Sequence, residues 1–307
     1  MPTIALQGGM NIRTFTPPPA DFDATKATPN ELTLYGYPKC ASQFPDITAR
    51  WTAKLKQPGF KFVTPEFAPK PPRQATLQSF LGKPHGTQQT GNWAGAFVEP
   101  PSGQKFKWVE ATWRFPQSYL PGGDQANVEY FASTWIGIDG DNKSGDIMQA
   151  GCDSDVTDSS GSPHQYNPWW EWFPAGSFWI TNLTFSPGDT ISMLICIAAD
   201  STNSAGVFFN NETKNTGAYF QATAPSGTNI VGDSAEWIME ALTDDNGFRL
   251  AKFDTVVFSD CNAGTVSGTT VQSGSGELID MTGANGKVIA KSSLDGSTEV
   301  EIQYTGP

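Results

Sequence analysis

The chain has 307 residues, 38% of them apolar and 16% charged, with 31 Gly and 23 Pro; this composition supplies a sizeable core and favours many turns over long helices. A formal net charge of −12 excludes nucleic acid as a partner, because phosphate binding needs a surplus of Lys and Arg. No apolar run reaches the length of a helical membrane span, so no membrane partner is expected.

The first residues, MPTIALQGGMNIRTF, lack the apolar stretch of a signal peptide, although the acidic balance fits a secreted, soluble protein. Residues 1–87 are rich in Pro and Lys and show no sustained helical or strand period. They read as an extended segment with one ordered patch, in which ELTLYGYP forms a strand and ITARWTAKL a short helix. Residues 1–88 carry ten Lys and Arg against five Asp and Glu, about +5, whereas the remainder carries nine against twenty-six, about −17. The stretch HGTQQTG at 85–91 reads as an exposed joint.

From Asn92 onward, short β-branched and aromatic runs alternate with Gly, Asn, Asp and Pro turns. NWAGAFV, FKWVEATWRFP, EYFASTWIGI, DIMQAGC, WWEWFP, TISMLICIAA, GVFFNN, AEWIMEAL, DTVVFSD and EIQYT are the predicted strands. Their recurrence predicts an all-β fold, a two-sheet antiparallel β-sandwich of the jelly-roll type over 88–307. Cys40, Cys152, Cys196 and Cys261 have no CxxC spacing, so no metal site is expected. Cys196, inside an apolar run, reads as a buried thiol. Asn142, Asn182 and Asn211 match the glycosylation sequon.

With two histidines, His85 and His164, and no HExxH, G-x-S-x-G, P-loop or D-[ST]-G, the usual parts of zinc, serine and pepsin-like hydrolases are missing. What remains is a set of polar side chains on apolar strands. Strand alternation puts Ile147, Gln149 and Gly151 on one face, and Glu236, Ile238 and Glu240 on one face. Glu236 lies beside large apolar neighbours, surroundings that raise a carboxyl pKa and suit general acid/base work. Trp135, Gly137 and Asp139 align likewise, as do Trp169, Glu171 and Phe173, pairing aromatics with carboxylates along what is either a peptide-binding groove or a polar rim. By spacing alone a Gln in a strand is more often a surface or satisfied core amide, and Trp-rich strands more often pack or bind sugar. The pattern by itself names no enzyme.

Taken in order, NWAGA at 92–96, STWIGIDGD at 133–141, IMQAG at 147–151, WEWFP at 170–174, SPGDTI at 186–191 and SAEWIME at 234–240 resemble the glutamic peptidases, the eqolisin family, over roughly residues 90–307. The resemblance implies a sandwich of two antiparallel sheets whose catalytic Gln and Glu stand on adjacent strands of a groove-forming sheet. Those residues are Gln149 and Glu236, with Trp135, Asp139, Trp169, Glu171 and Phe173 in supporting or substrate-binding positions. It implies an acid endopeptidase acting on polypeptides, working as a monomer with no metal or organic cofactor. Residues 1–87 then correspond to a pro-segment, an intramolecular inhibitor removed by acid-triggered cleavage between about residues 70 and 91. Phe173 stands where the family often has Tyr. The alternatives are a carbohydrate-binding or glucan-acting concanavalin-like sandwich, disfavoured because Gln149 occupies the place of a needed carboxylate, and a non-catalytic peptide-binding relative.

Overall fold

The computed structural model describes residues 3–6, 9–19, 21–23, 26–35, 45–55, 57–71, 87–122, 128–140, 145–157, 166–197, 201–244 and 247–306. Cys40, His85, Asn142 and His164, and most of the expected cleavage region, lie outside them. The longer strands are β1 (Thr3–Ala5), β2 (Asn11–Thr14), β3 (Lys61–Val63), β4 (Phe67–Pro69), β5 (Thr87–Thr90), β6 (Trp93–Val98), β7 (Phe106–Arg114), β8 (Ser133–Asp139), β9 (Ile147–Asp153), β10 (Pro168–Phe173), β11 (Ser177–Ile180), β12 (Thr190–Ile197), β13 (Ser204–Asn211), β14 (Thr216–Thr223), β15 (Ala235–Glu240), β16 (Val256–Thr265), β17 (Glu277–Thr282), β18 (Val288–Asp295) and β19 (Glu299–Tyr304). Among the described residues, helices α1 (Pro29–Leu34) and α2 (Pro45–Leu55) belong to the N-terminal segment.

Two layers follow from the pairings. The first sheet runs β4–β11–β10–β9–β8–β15–β6–β17–β5. The second runs β18–β19–β16–β7–β12–β13–β14, with β2 and β3 on the β14 edge. Met281 opposite Ala290 joins β17 to β18 and carries the hydrogen-bond ladder from one layer to the other. This is the predicted β-sandwich.

Period-2 alternation explains the layering. Ile136, Ile138, Met148, Ala150, Trp170, Trp172, Trp237 and Met239 point from the first sheet into the main core, where they meet Val109, Trp113, Met193, Ile195 and Phe209 of the second. Their sequence neighbours Trp135, Ile147, Trp169 and Ile238 join Trp93, Phe97 and Ile279 in a separate cluster on the face turned away from the core, the site face below. Indole donors tie the layers together: Trp237 Nε1 donates to the Glu110 carbonyl at 2.9 Å and Trp113 Nε1 to Thr134 Oγ1 at 3.1 Å.

Four expectations need correction. The ELTL stretch is helical, not a strand, because Thr28, Pro29 and Glu31 form an N-terminal cap. Thr28 N and Oγ1 both donate to Glu31 Oε2 at 2.7 Å, Glu31 N donates back to Thr28 Oγ1 at 3.3 Å, and Pro29 takes the first helical position. The stretch read as a joint contains β5, parallel to β17 and ending in buried Thr90. Cys196 is buried but disulfide-bonded, whereas Cys152 and Cys261 are free. Asn211 is fully buried, with Nδ2 donating to Asp189 Oδ2 at 2.7 Å, so its sequon offers no surface acceptor.

Helix α2 docks on the outward face of the second sheet. Ile47 and Trp51 pack with Trp108, Leu194, Phe208 and Tyr219, Trp51 Nε1 donates to Glu110 Oε2 at 2.9 Å, and Arg50 and Lys54 pair with Glu110 and Glu212. Among the described residues, no helix is long and apolar enough to cross a membrane.

Trp237→Phe removes an inter-sheet hydrogen bond and buried ring volume. The expected cost is about 2–3 kcal/mol, read as a lower urea midpoint at unchanged slope; an unmoved midpoint contradicts the cross-link.

Candidate active site

The register of the first sheet assembles the polar residues into one transverse row. Glu171 on β10 stands opposite Gln149 on β9, Gln149 opposite Gly137 on β8, Gly137 opposite Glu236 on β15, Glu236 opposite Phe97 on β6, and Phe97 opposite Glu277 on β17. Residues opposite one another on neighbouring strands share a face. Gln149 and Glu236 therefore lie on the same side of the sheet, two strand spacings or roughly 10 Å apart at the backbone. They are not on adjacent strands as expected. Strand β8 runs between them, and its residue at the crossing is a glycine.

That glycine puts no side chain between the two, and their neighbours close over it. A Cβ at Gly137 meets Glu236 Oε2 at 3.2 Å, Trp135 Cζ3 at 3.0 Å and Ile147 Cδ1 at 3.2 Å. Glu236 is 0% exposed. Gln149 Nε2 donates to Glu171 Oε2 at 2.9 Å, which fixes the amide plane, while Gln149 Oε1 accepts no hydrogen bond from the described residues.

The row two residues along is aromatic: Trp169 opposes Gly151, Gly151 opposes Trp135, and Trp135 opposes Ile238. A Cβ at Gly151 falls 2.4 Å from both the Thr134 carbonyl oxygen and Trp135 Cβ, so glycine there permits the close approach of β9 to β8 at Trp135. Trp135 Nε1 donates to Glu240 Oε2 at 2.9 Å and its ring meets Trp93 edge to face, 4.9 Å between centroids. Trp169 Nε1 donates to Ser133 Oγ at 2.9 Å. Phe173, opposite Ile147, packs against this cluster half-buried.

Asp139 plays a different part. Its Oδ2 accepts the Val231 N–H at 2.7 Å and its Oδ1 those of Gly232 and Asp233 at 2.8 Å each, so it anchors the turn that leads into β15 and thereby sets the position of Glu236. Its own backbone adopts φ 68° at the end of β8, a conformation Asp tolerates better than most residues.

Burial sets the electrostatics of the site face. It raises the Glu171 carboxyl to about 7, against the opposing influence of Lys70 and the Gln149 hydrogen bond. It likewise raises Glu240 to about 7 despite donors from Trp93 and Trp135, and Asp139 to about 7 despite three backbone N–H donors. Below neutral pH these groups are uncharged, and the face avoids stacking several carboxylates in a low dielectric.

The structure thus brings Trp135, Gln149, Trp169, Glu171, Phe173 and Glu236 onto one face and puts Asp139 at the turn that leads into β15. Sequence reading missed Gly137 as the spacer, Glu240 as the partner of Trp135, and the pair formed by Asp153 and Lys70, where Lys70 Nζ lies 2.7 Å from Asp153 Oδ1. Glu240 shared a face with Glu236 and was findable. Lys70 comes from 83 residues away in sequence and carried no local signal.

The sequence pattern of the Peptidase A4 family matches residues 91–304. Aspergillopepsin-2 of Aspergillus niger is 33% identical over 181 residues, 57% of this chain and 60% of that protein. Scytalidopepsin B of Scytalidium lignicola is 28% identical over 217 residues, 67% of this chain and 75% of that one. The solved structure of scytalido-glutamic peptidase with a transition state analog inhibitor superposes with a TM-score of 0.57 at 27% identity, covering 70% of this chain and 98% of that one.

The raised carboxyls carry a stability consequence. Glu171 and Glu240 bind protons more tightly folded than unfolded, from an ordinary 4.5 to about 7. Their contribution is fully present below about pH 4.5 and is lost as pH rises through about 7. The melting temperature should therefore fall between those values, and Glu171→Gln with Glu240→Gln should flatten the fall; an equally steep decline in the double variant contradicts the assignment.

Proposed function

This chain belongs to the Peptidase A4 family, and on that footing we propose that it is an acid-acting glutamic endopeptidase in which Glu236 and Gln149 do the chemistry on polypeptide substrates. The observation that carries the reading is the placement of these two side chains on one face of the sheet, on either side of side-chain-free Gly137.

In this mechanism the Glu236 carboxylate takes a proton from water as the water oxygen attacks the scissile carbonyl, so that the C–O bond forms as the carbonyl π bond opens. The negative charge that gathers on the carbonyl oxygen is met by an N–H of Gln149, whose amide is already oriented by Glu171. Glu236 then returns the proton to the amide nitrogen, and the C–N bond breaks to release an amine and a carboxylic acid. Trp135 and Trp169 form the apolar floor beside the row, while Phe173 flanks the substrate. The neutral state of Glu171 and Glu240 in acid supports an acidic working range, because charging them surrounds the reacting centre with like charge.

Residues 1–87 act as a pro-segment of an exported, monomeric enzyme. Its cations pair with the acidic sandwich at Arg50 with Glu110, Lys54 with Glu212 and Lys70 with Asp153, and loss of the sandwich's overall negative charge in acid weakens the hold. Self-cleavage follows between about residues 70 and 91.

The test is proteolysis of a denatured protein from pH 2 to 7 by the acid-treated full chain. Gln149→Ala should cost about 10²–10³-fold in kcat and Glu236→Gln more than about 10³-fold, both variants retaining the parent's unfolding free energy to within about 1 kcal/mol. Activity should persist with pepstatin or a chelator. Full activity in either folded variant contradicts the assignment.

A further inference from the structure

A polar cavity of about 370 Å³ lies between the end of α2 and the second sheet. It opens on the outward face of that sheet, whereas Gln149 and Glu236 stand on the outward face of the first. Its walls are Lys54, Gln57 and Pro58 from the N-terminal segment and Asn210, Glu212 and Asn215 from the sandwich. Two turns shape these walls. Phe60 N donates to the Gln57 carbonyl at 3.0 Å, with Gly59 between them at φ 79°. Asn215, at φ 53°, donates from Nδ2 to the Pro58 carbonyl at 2.7 Å and so joins one wall to the other.

Strand register sets the floor. Asn210 on β13 stands opposite Ser192 on β12 and Gly217 on β14, and Ser192 stands opposite Thr112 on β7. Residues opposite one another share a face, so a row of short polar side chains borders the apolar patch that Leu194 and Phe208 form with Trp51. The row is linked by hydrogen bonds. Ser192 Oγ donates to Glu212 Oε1 at 3.0 Å, Lys54 Nζ donates to Thr112 Oγ1 at 3.2 Å and pairs with Glu212, and Asn210 Nδ2 reaches Ser192 Oγ at 3.4 Å. The exception is the other end of the Asn210 amide. Asn210 is 2% exposed, and its Oδ1 accepts no hydrogen bond from the described residues, a state that costs stability until a donor supplies the bond.

We propose that this cavity binds a neutral polyol of monosaccharide size, one hydroxyl of which donates to Asn210 Oδ1. The lining mixes acceptors on Asn210, Glu212 and Asn215 with donors on Lys54 and Gln57. Hydroxyl groups suit both, because each donates and accepts. An anion meets the Glu212 carboxylate and a cation meets the Lys54 ammonium, whereas a neutral ligand leaves that ion pair intact. The volume falls in the range of small-molecule sites. Because one wall belongs to the N-terminal segment, occupancy favours the form of the chain in which α2 sits on the second sheet. The proposal is independent of the peptidase reading, since none of the lining residues belongs to the site face.

The experiment is calorimetric titration of the full chain at pH 7.5 with D-glucose, D-xylose and myo-inositol in turn. At least one should bind saturably, one molecule per chain, with a Kd of about 1 mM or tighter. Asn210→Leu keeps the side-chain volume and removes the acceptor, and should weaken that binding about 10-fold. Gln57→Ala alters an exposed side chain and leaves the fold intact; it should weaken binding about fivefold. No saturable binding of any of the three overturns the proposal and leaves a cavity that holds water alone. Binding at the parent's affinity in both variants also overturns it, because the polyol then sits elsewhere. Acid proteolysis, retained or lost, bears on Gln149 and Glu236 and not on this cavity.

Discussion

Gln149 and Glu236 face one another across a strand whose residue between them has no Cβ, and the sheet register fixes that arrangement more firmly than any single hydrogen bond. Gly137 opposes both residues at once. Because strand side chains alternate, a one-residue slip of β9 or β15 moves its polar side chain into the core among Trp170, Trp172 and Trp237. The packing of those indoles is therefore what holds the pair in place. Chemistry on one face is positioned by the hydrophobic pattern of the other.

Around this row the site face holds polar groups that an ordinary sheet surface does not bury. Glu171 orients Gln149, Glu240 fixes Trp135, and Asp139 anchors the turn entering β15. The carboxyls of the first two are pushed up by burial, so the same acid that keeps them neutral also stabilises the fold. In the proposed reading, working pH and folding stability share one physical cause. The N-terminal segment approaches from two sides, α2 on the outward face of the second sheet and β3 and β4 on two sheet edges, and within the described residues Lys70 links it to the site face.

Much of this was legible in the sequence because period-2 alternation is local. The runs containing Trp135, Gln149, Glu171 and Glu236 gave the strands and their faces, and the ordered motifs gave the family. Register is not local, so the separation of Gln149 from Glu236 by β8, and the role of Gly137, emerged only from strand pairing. The helix at ELTL was misread from its apolar spacing, although Thr28, Pro29 and Glu31 spelled out its cap. Lys70 and Asp153 meet through the fold's topology, and nothing in either neighbourhood announces the other. The bonded state of Cys196 was equally beyond a reading of its apolar surroundings.

The most direct measurement of the central claim is acid proteolysis by Gly137→Ala. The added methyl lies 3.2 Å from Glu236 Oε2 and 3.0 Å from Trp135, at the crossing between Gln149 and Glu236, while the backbone there is ordinary strand. The account predicts a folded protein, with a melting temperature within several degrees of the parent, whose kcat falls by at least about 100-fold. Parental activity in the folded variant would contradict it, because the crossing between Gln149 and Glu236 would then not be where the chemistry occurs.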